Sequence, residues 1–189
     1  MALVTKVKAA NITNLSDARY CAGMGVDWIG FPAAEVDAKL FREITGWLSG
    51  PQWVIELDKQ PWPVLADYAA QVWQCSLNDF EEALRLPGAV MVQLEAYRWK
   101  EAEALLRTNS DRIEAIILSG FSGSDGKATA LTIGQLFPVL VDMNENPHSL
   151  DEILSWSVSG IQLHGSSEER PGLKDYAQLA DVLEQLEAE

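Results

Sequence analysis

Residues Lys8–Phe31 read KAANITNLSDARYCAGMGVDWIGF. An apolar run leads into Lys8-Ala9-Ala10, a polar turn follows, then a helical stretch over Ser16–Met24, then the apolar run Trp28–Phe31. This is strand, tight turn, helix, strand. Asn14 or Ser16 can cap the helix, and Asp17 places a negative charge in its first turn, against the positive end of the helix dipole.

The same alternation continues along the chain. Strands are expected near Val4–Ala10, Trp28–Phe31, Trp53–Leu57, Val72–Ser76, Val90–Leu94, Ala115–Leu118, Val139–Asp142 and Gly160–Leu163. Helices are expected near Ser16–Met24, Ala38–Leu48, Pro63–Ala70, Asn78–Leu86, Trp99–Arg107, Ile133–Leu136, Ser149–Ser155 and Lys174–Leu186. Strands alternating with helices signal βαβ units and a parallel sheet. Eight of each predicts a single compact (β/α)₈ barrel domain over residues 1–189. Asn78 and Ser149 are expected to cap the helices that follow them, and Trp47, Trp99 and Trp156 to lie on buried helix stripes.

The chain has 189 residues, short for a fold that typically takes ~250. Trimmed loops are therefore expected, and loops carry function on this fold, so trimming points to altered chemistry. Fourteen Lys and Arg against 28 Asp and Glu give a net charge of −14. Nucleic acid and anionic membrane are poor partners for such a surface. No apolar run is long enough to span a bilayer, and the N-terminal residues do not read as a signal peptide, so the cytoplasm is expected. Cys21 and Cys75 form no disulfide framework, and with His148 and His164 far apart no HxxxH or CxxC spacing marks a metal site. Neither a metal nor a cofactor is expected, and no protein partner can be named.

One face of each barrel strand must be apolar to meet the helices, while the other points inward. Here that second face is repeatedly polar: Lys8, Glu56, Gln74 and Ser76, Gln93 and Glu95, Asp142 and Asn144, Gln162 and His164. Lys8 is the one cation in this set. Buried charges must pair or shift their pKa values, so the pattern predicts either a satisfied structural network or a polar pocket. His164 is the group on this face that titrates near neutral pH. The Gly123–Lys127 stretch GSDGK lacks the eight-residue spacing of a P-loop and reads as a loop.

The opening segment resembles phosphoribosylanthranilate isomerase, the barrel enzyme of tryptophan synthesis. Lys8, Ile12, Thr13, Asn14, Leu15, Asp17, Ala18, Gly25, Asp27, Gly30 and Phe31 fit that family's opening pattern. Gly160, Glu168, Pro171, Gly172, Lys174 and Asp175 fit its ending, and Gly123, Gly126 and Lys127 fit its sixth-strand loop. The resemblance implies a general acid at the end of the first strand and a general base at the end of the sixth. Those positions hold Ala10 and Ser119. It also implies a glycine-rich phosphate cradle after the seventh strand, where Val141-Asp142-Met143 stands. The family's Ser-Ser-Gly on the eighth strand becomes His164-Gly165-Ser166, and Pro32-Ala33-Ala34 follows the second strand where Ser-Pro-Arg is expected.

The resulting expectation is an isomerase-like barrel that has lost the isomerase reaction and binds a small polar metabolite or acts through a partner. Lys8, Asn11, Glu56, Gln74, Gln93, Asp142, His164, Gly165 and Ser166 are the expected ligand-contacting set. Lys8, Asp142 and His164 are the candidates for any remaining catalysis. The alternatives are an enzyme of changed chemistry at the same mouth, and an active isomerase with substitute catalytic groups.

Overall fold

The computed structural model describes residues 2–58, 60–121, 126–144, 146–165 and 177–188. Eight parallel strands close into a barrel in sequence order: β1 (Lys6–Ala10), β2 (Trp28–Pro32), β3 (Gln52–Leu57), β4 (Val72–Ser76), β5 (Ala89–Glu95), β6 (Ile113–Ser119), β7 (Val139–Asp142) and β8 (Gly160–His164). Closure is carried by β1 against β8, with Lys8 opposite Gln162 and Ala10 opposite His164.

The pleat sorts side chains into two cores. The outer one lies between sheet and helices and takes Val7, Ala9, Ile29, Phe31, Ile55, Cys75, Val92, Ile116 and Val141. The inner one fills the lower barrel with Trp28, Val54, Val72, Met91, Ala115, Ile117 and Leu140. Above that apolar plug, on the same inward face, stand the polar residues picked out by alternation.

The helices are α1 (Leu15–Met24), α2 (Ala38–Thr45), α3 (Phe80–Ala83), α4 (Trp99–Thr108), α5 (Gly126–Gly134), α6 (Leu150–Leu154) and α7 (Ala177–Gln185). Asn14 caps α1 by accepting from the Asp17 amide at 3.0 Å, and Ser149 caps α6 by accepting from the Glu152 amide at 3.3 Å. Gly25 ends α1 with φ of 81°, a left-handed conformation that glycine adopts without a Cβ clash.

Several expectations are corrected. No helix forms over Pro63–Ala70; the described part of the β3–β4 connection is a loop with a single turn. Pro61 and Pro63 push the residues before them to extended backbone, and the stretch left over is too short to nucleate a helix. Tyr68 anchors the loop instead, donating to the Val36 carbonyl at 2.6 Å and packing 5.7 Å from the Phe41 ring. The sixth helix is not Ile133–Leu136 but α5, which begins seven residues earlier. Its buried face is Gly126, Ala130 and Ile133, too narrow a stripe to read as amphipathic. Asn78 does not cap: it lies in a 3₁₀ turn and accepts from Arg98 at 3.0 Å. Trp99 and Trp156 are buried, but Trp47 sits past the end of α2 and is 79% exposed. Residues 174–176 of the expected last helix lie outside the described residues, as do most of the Gly/Ser-rich loop and most of the matched family ending. No helix among the described residues is long and apolar enough to cross a membrane.

Candidate functional site at the barrel mouth

Lys8 lies at the centre of the barrel with no exposed surface. Its Nζ donates to Glu56 Oε1 at 2.5 Å and to Gln162 Oε1 at 2.9 Å. Glu56, on β3, is 1% exposed, so the two charges form a buried ion pair. Room for it comes from Gly30 on β2. A Cβ there would stand 2.1 Å from Glu56 Oε1 and 2.7 Å from Lys8 Nζ. The other Glu56 oxygen, Oε2, accepts from the Asn11 backbone amide at 2.9 Å. Asn11 follows β1 directly and has φ of 57°, a left-handed conformation that asparagine tolerates better than most residues.

On the opposite side Gln162 Nε2 donates to Asp142 Oδ2 at 3.1 Å, and His164 Nε2 lies 3.0 Å from Asp142 Oδ1. A carboxylate only accepts, so the His164 proton is on Nε2. Nδ1 lies 3.0 Å from the Asn11 side-chain amide nitrogen. Gln162 Nε2 and His164 Nε2 approach to 3.1 Å because both donors converge on one carboxylate.

These contacts form a closed circuit: Lys8, Glu56, Asn11, His164, Asp142, Gln162 and back to Lys8. Each of these six residues thus has a polar partner within the circuit. That is how a buried polar set avoids its desolvation cost. Both imidazole nitrogens are engaged, so His164 is a bound member of the circuit, with no free nitrogen to act as base. Lys8 is closed off from solvent and its Nζ is engaged by Glu56 and Gln162, so an incoming carbonyl has no open approach to the amine.

Asp142 also bonds to the backbone that follows β7. Its Oδ1 accepts from the Asn144 backbone amide at 2.9 Å, so the carboxylate occupies a donor that an anionic ligand would otherwise use. At the positions where the resembling family carries its acid and base, Ala10 is 1% exposed at the end of β1, and Ser119 is half-buried at the end of β6.

Lys8, Asn11, Glu56, Asp142 and His164 are thus brought together. Gly165 sits beside them, its amide donating to the Ala10 carbonyl at 2.8 Å. Gln74 and Gln93 lie on the inward face of β4 and β5 but outside the circuit, and Ser166 lies outside the described residues. Glu95 is drawn away to the rim, where Arg98 Nη1 lies 3.6 Å from it, and Asn144 is exposed. Gln162 and Gly30 are essential to the arrangement, yet neither belongs to the expected ligand-contacting set. Alternation placed Gln162 on the inward face; nothing in a glycine announces that two charges meet above it.

No family model and no curated protein matches the sequence. Solved structures do match. A phosphoribosyl anthranilate isomerase from Thermus thermophilus superposes with a TM-score of 0.69 at 21% identity, over 96% of this chain and 98% of that one. Another, in complex with reduced 1-(o-carboxyphenylamino)-1-deoxyribulose 5-phosphate, gives 0.67 at 18% identity, over 95% and 97%. A truncated 3-deoxy-D-arabino-heptulosonate 7-phosphate synthase from Thermotoga maritima gives 0.65 at 15% identity, over 96% and 84%. The near-complete overlap means that the brevity of this chain is shared with solved isomerases. It therefore carries no argument for altered chemistry, contrary to the expectation from length. At these identities the likeness is one of architecture: the chain has the closed (β/α)₈ barrel seen in the phosphoribosylanthranilate isomerases.

Proposed function

We propose that this chain is a divergent relative of the phosphoribosylanthranilate isomerases, the family of tryptophan synthesis, that no longer catalyses that isomerisation. Its mouth, on this reading, serves to bind a small polar metabolite. The observation that carries the proposal is the closed circuit from Lys8 through Glu56, Asn11, His164, Asp142 and Gln162. Opening a ribosylamine ring and shifting a proton needs an acid and a base within reach of one substrate, each worth typically ~10²–10⁴-fold in rate. Ala10 has no proton to give, and Ser119 is far too weak a base without a partner. The titratable groups near them are committed to one another. The two free cysteines are both buried and suit a reducing compartment, and a cytoplasmic setting is part of the same proposal.

The test is complementation of a strain lacking its isomerase. Expression of this chain is expected to give no growth without tryptophan. Robust growth, with turnover of purified protein on phosphoribosylanthranilate, would overturn the proposal.

A further inference from the structure

The floor of the barrel, at the N-terminal ends of the strands, faces away from the mouth. There β6 gains a residue: Val90 of β5 lies opposite Ile113 and Met91 opposite Ala115, so Glu114 has no counterpart. Ala115 and Ile117 belong to the inner core. Strict alternation would therefore aim Ile113 inward and Glu114 at the helices. The extra residue reverses this: Ile113 packs against the outer core, and Glu114 turns under the barrel. A bulge at a barrel rim commonly re-aims a side chain in this way. Glu114 there lines a cavity of about 450 Å³ together with Lys6, Asp27, Trp28 and Gln52, which stand at the starts of β1, β2 and β3. That volume falls within the ~300–1,000 Å³ of small-molecule sites. The Trp28 indole, itself part of the inner core, closes the cavity off from the barrel interior.

We propose that this floor cavity binds a small zwitterion of the amino-acid class, at a site independent of the mouth and of the function read there. The two walls of the cavity are chemically unlike. The β1–β3 wall offers donors. Lys6 is exposed, with its Nζ 5.5 Å from the centroid of the Trp28 ring. Gln52 Oε1 accepts from Trp28 Nε1 at 2.9 Å, which leaves the Gln52 amide nitrogen as a donor for a ligand. The β6 wall offers the half-buried Glu114 carboxylate. Among the described residues neither Lys6 nor Glu114 has an ion-pair partner, so one cation and one carboxylate share the cavity without pairing. Asp27, the third charged group of the lining, is partly engaged, its Oδ2 accepting from the Val7 amide at 2.9 Å. A ligand carboxylate suits Lys6 and Gln52, and a ligand ammonium suits Glu114. A molecule carrying both meets both charges at once, whereas a single charge meets one and is repelled by the other.

Glycine, β-alanine and γ-aminobutyrate hold an ammonium and a carboxylate at three separations, while butyrate and butylamine each keep a single charge. All five are titrated into ¹⁵N-labelled protein at matched ionic strength while the Trp28 indole and Gln52 side-chain amide signals are followed. At least one zwitterion should shift both signals saturably, and neither single-charge probe should match it. Glu114→Gln and Lys6→Gln each remove one charge and keep a polar side chain, and each should weaken that binding about tenfold, the equivalent of one charge-assisted hydrogen bond. No saturable shift with any zwitterion, equal shifts with butyrate or butylamine, or undiminished binding by either variant would each overturn the assignment. So would movement of the same signals on dilution of the protein alone, which would make this face a contact between copies of the chain. The comparison of probes on unchanged protein stands even if a variant fails to fold. Complementation decides separately whether the isomerase reaction is lost.

Discussion

Lys8 and Glu56 illustrate how one residue's meaning depends on another. Removing a single partner of a buried ion pair leaves an uncompensated charge, at a cost of about 3–5 kcal/mol, whereas replacing both by apolar groups is often close to neutral. Lys8→Met is therefore expected to destabilise the protein by that amount in denaturant titration. Adding Glu56→Leu should recover most of the loss, and a double variant weaker than the single one would show that the pair does not act as a unit. At Asp142 the same logic bears on anions. A carboxylate about 4 Å from a phosphate costs about 4 kcal/mol at an effective dielectric of 20. Inorganic phosphate should bind weakly, and Asp142→Gly, which also frees the Asn144 amide, should tighten binding about tenfold or more by calorimetry. Tight phosphate binding by the unchanged protein would refute this. At this scale the site was half legible. Alternation exposed the inward polar set because a pleated strand obeys a period of two. It could not show who pairs with whom, since Lys8 had three candidate carboxylates and the register between strands decided among them.

Elements were more legible than their contacts. All eight strands lie where apolar runs placed them, to within a residue or two at their ends, because each run is bounded by turn residues. The helices diverge where local chemistry is ambiguous. Pro63–Ala70 carries an apolar content that suits a helix and prolines that prevent one, while α5 hides behind glycine and threonine. A short helix also needs help at its end. Arg112, just before β6, donates to the carbonyls of Leu84, Leu86 and Gly88 at 3.1, 2.7 and 2.9 Å. It thereby clamps the chain where α3 stops after a single turn. A single charge-assisted bond of this kind is worth about 1.5–3 kcal/mol. Arg112→Lys supplies one point charge where a planar fork is needed, so it should lose most of that stability and speed amide exchange in the 80–88 segment. Unchanged exchange there would show that α3 stands without the clamp.

For the molecule as a whole, the two cysteines report on how tightly the barrel is closed. Burial pushes the Cys21 and Cys75 thiols up to about 12, with Asp17 and Asp79 respectively adding to the effect. Both thiols hold their protons more firmly folded than unfolded. Their contribution is complete below pH 9, the ordinary thiol value, and is lost as pH rises towards 12. A disulfide reagent at neutral pH should therefore label neither cysteine until denaturant unfolds the chain, and stability should fall through that alkaline window. Rapid labelling of the folded protein would show an opening motion that the closed sheet does not suggest.

The circuit at the mouth has a historical consequence. On the proposed reading its members are interlocked, so a return to proton transfer is not one substitution away. Placing a proton donor at Ala10 would set it beside a His164 that is already engaged on both nitrogens, and freeing His164 would strand Asp142, Gln162 and Asn11 together. Each backward step is unfavourable until the others have been taken. If the proposed loss is right, a barrel wired in this way behaves as a ratchet, more easily led to a new ligand than back to the isomerisation.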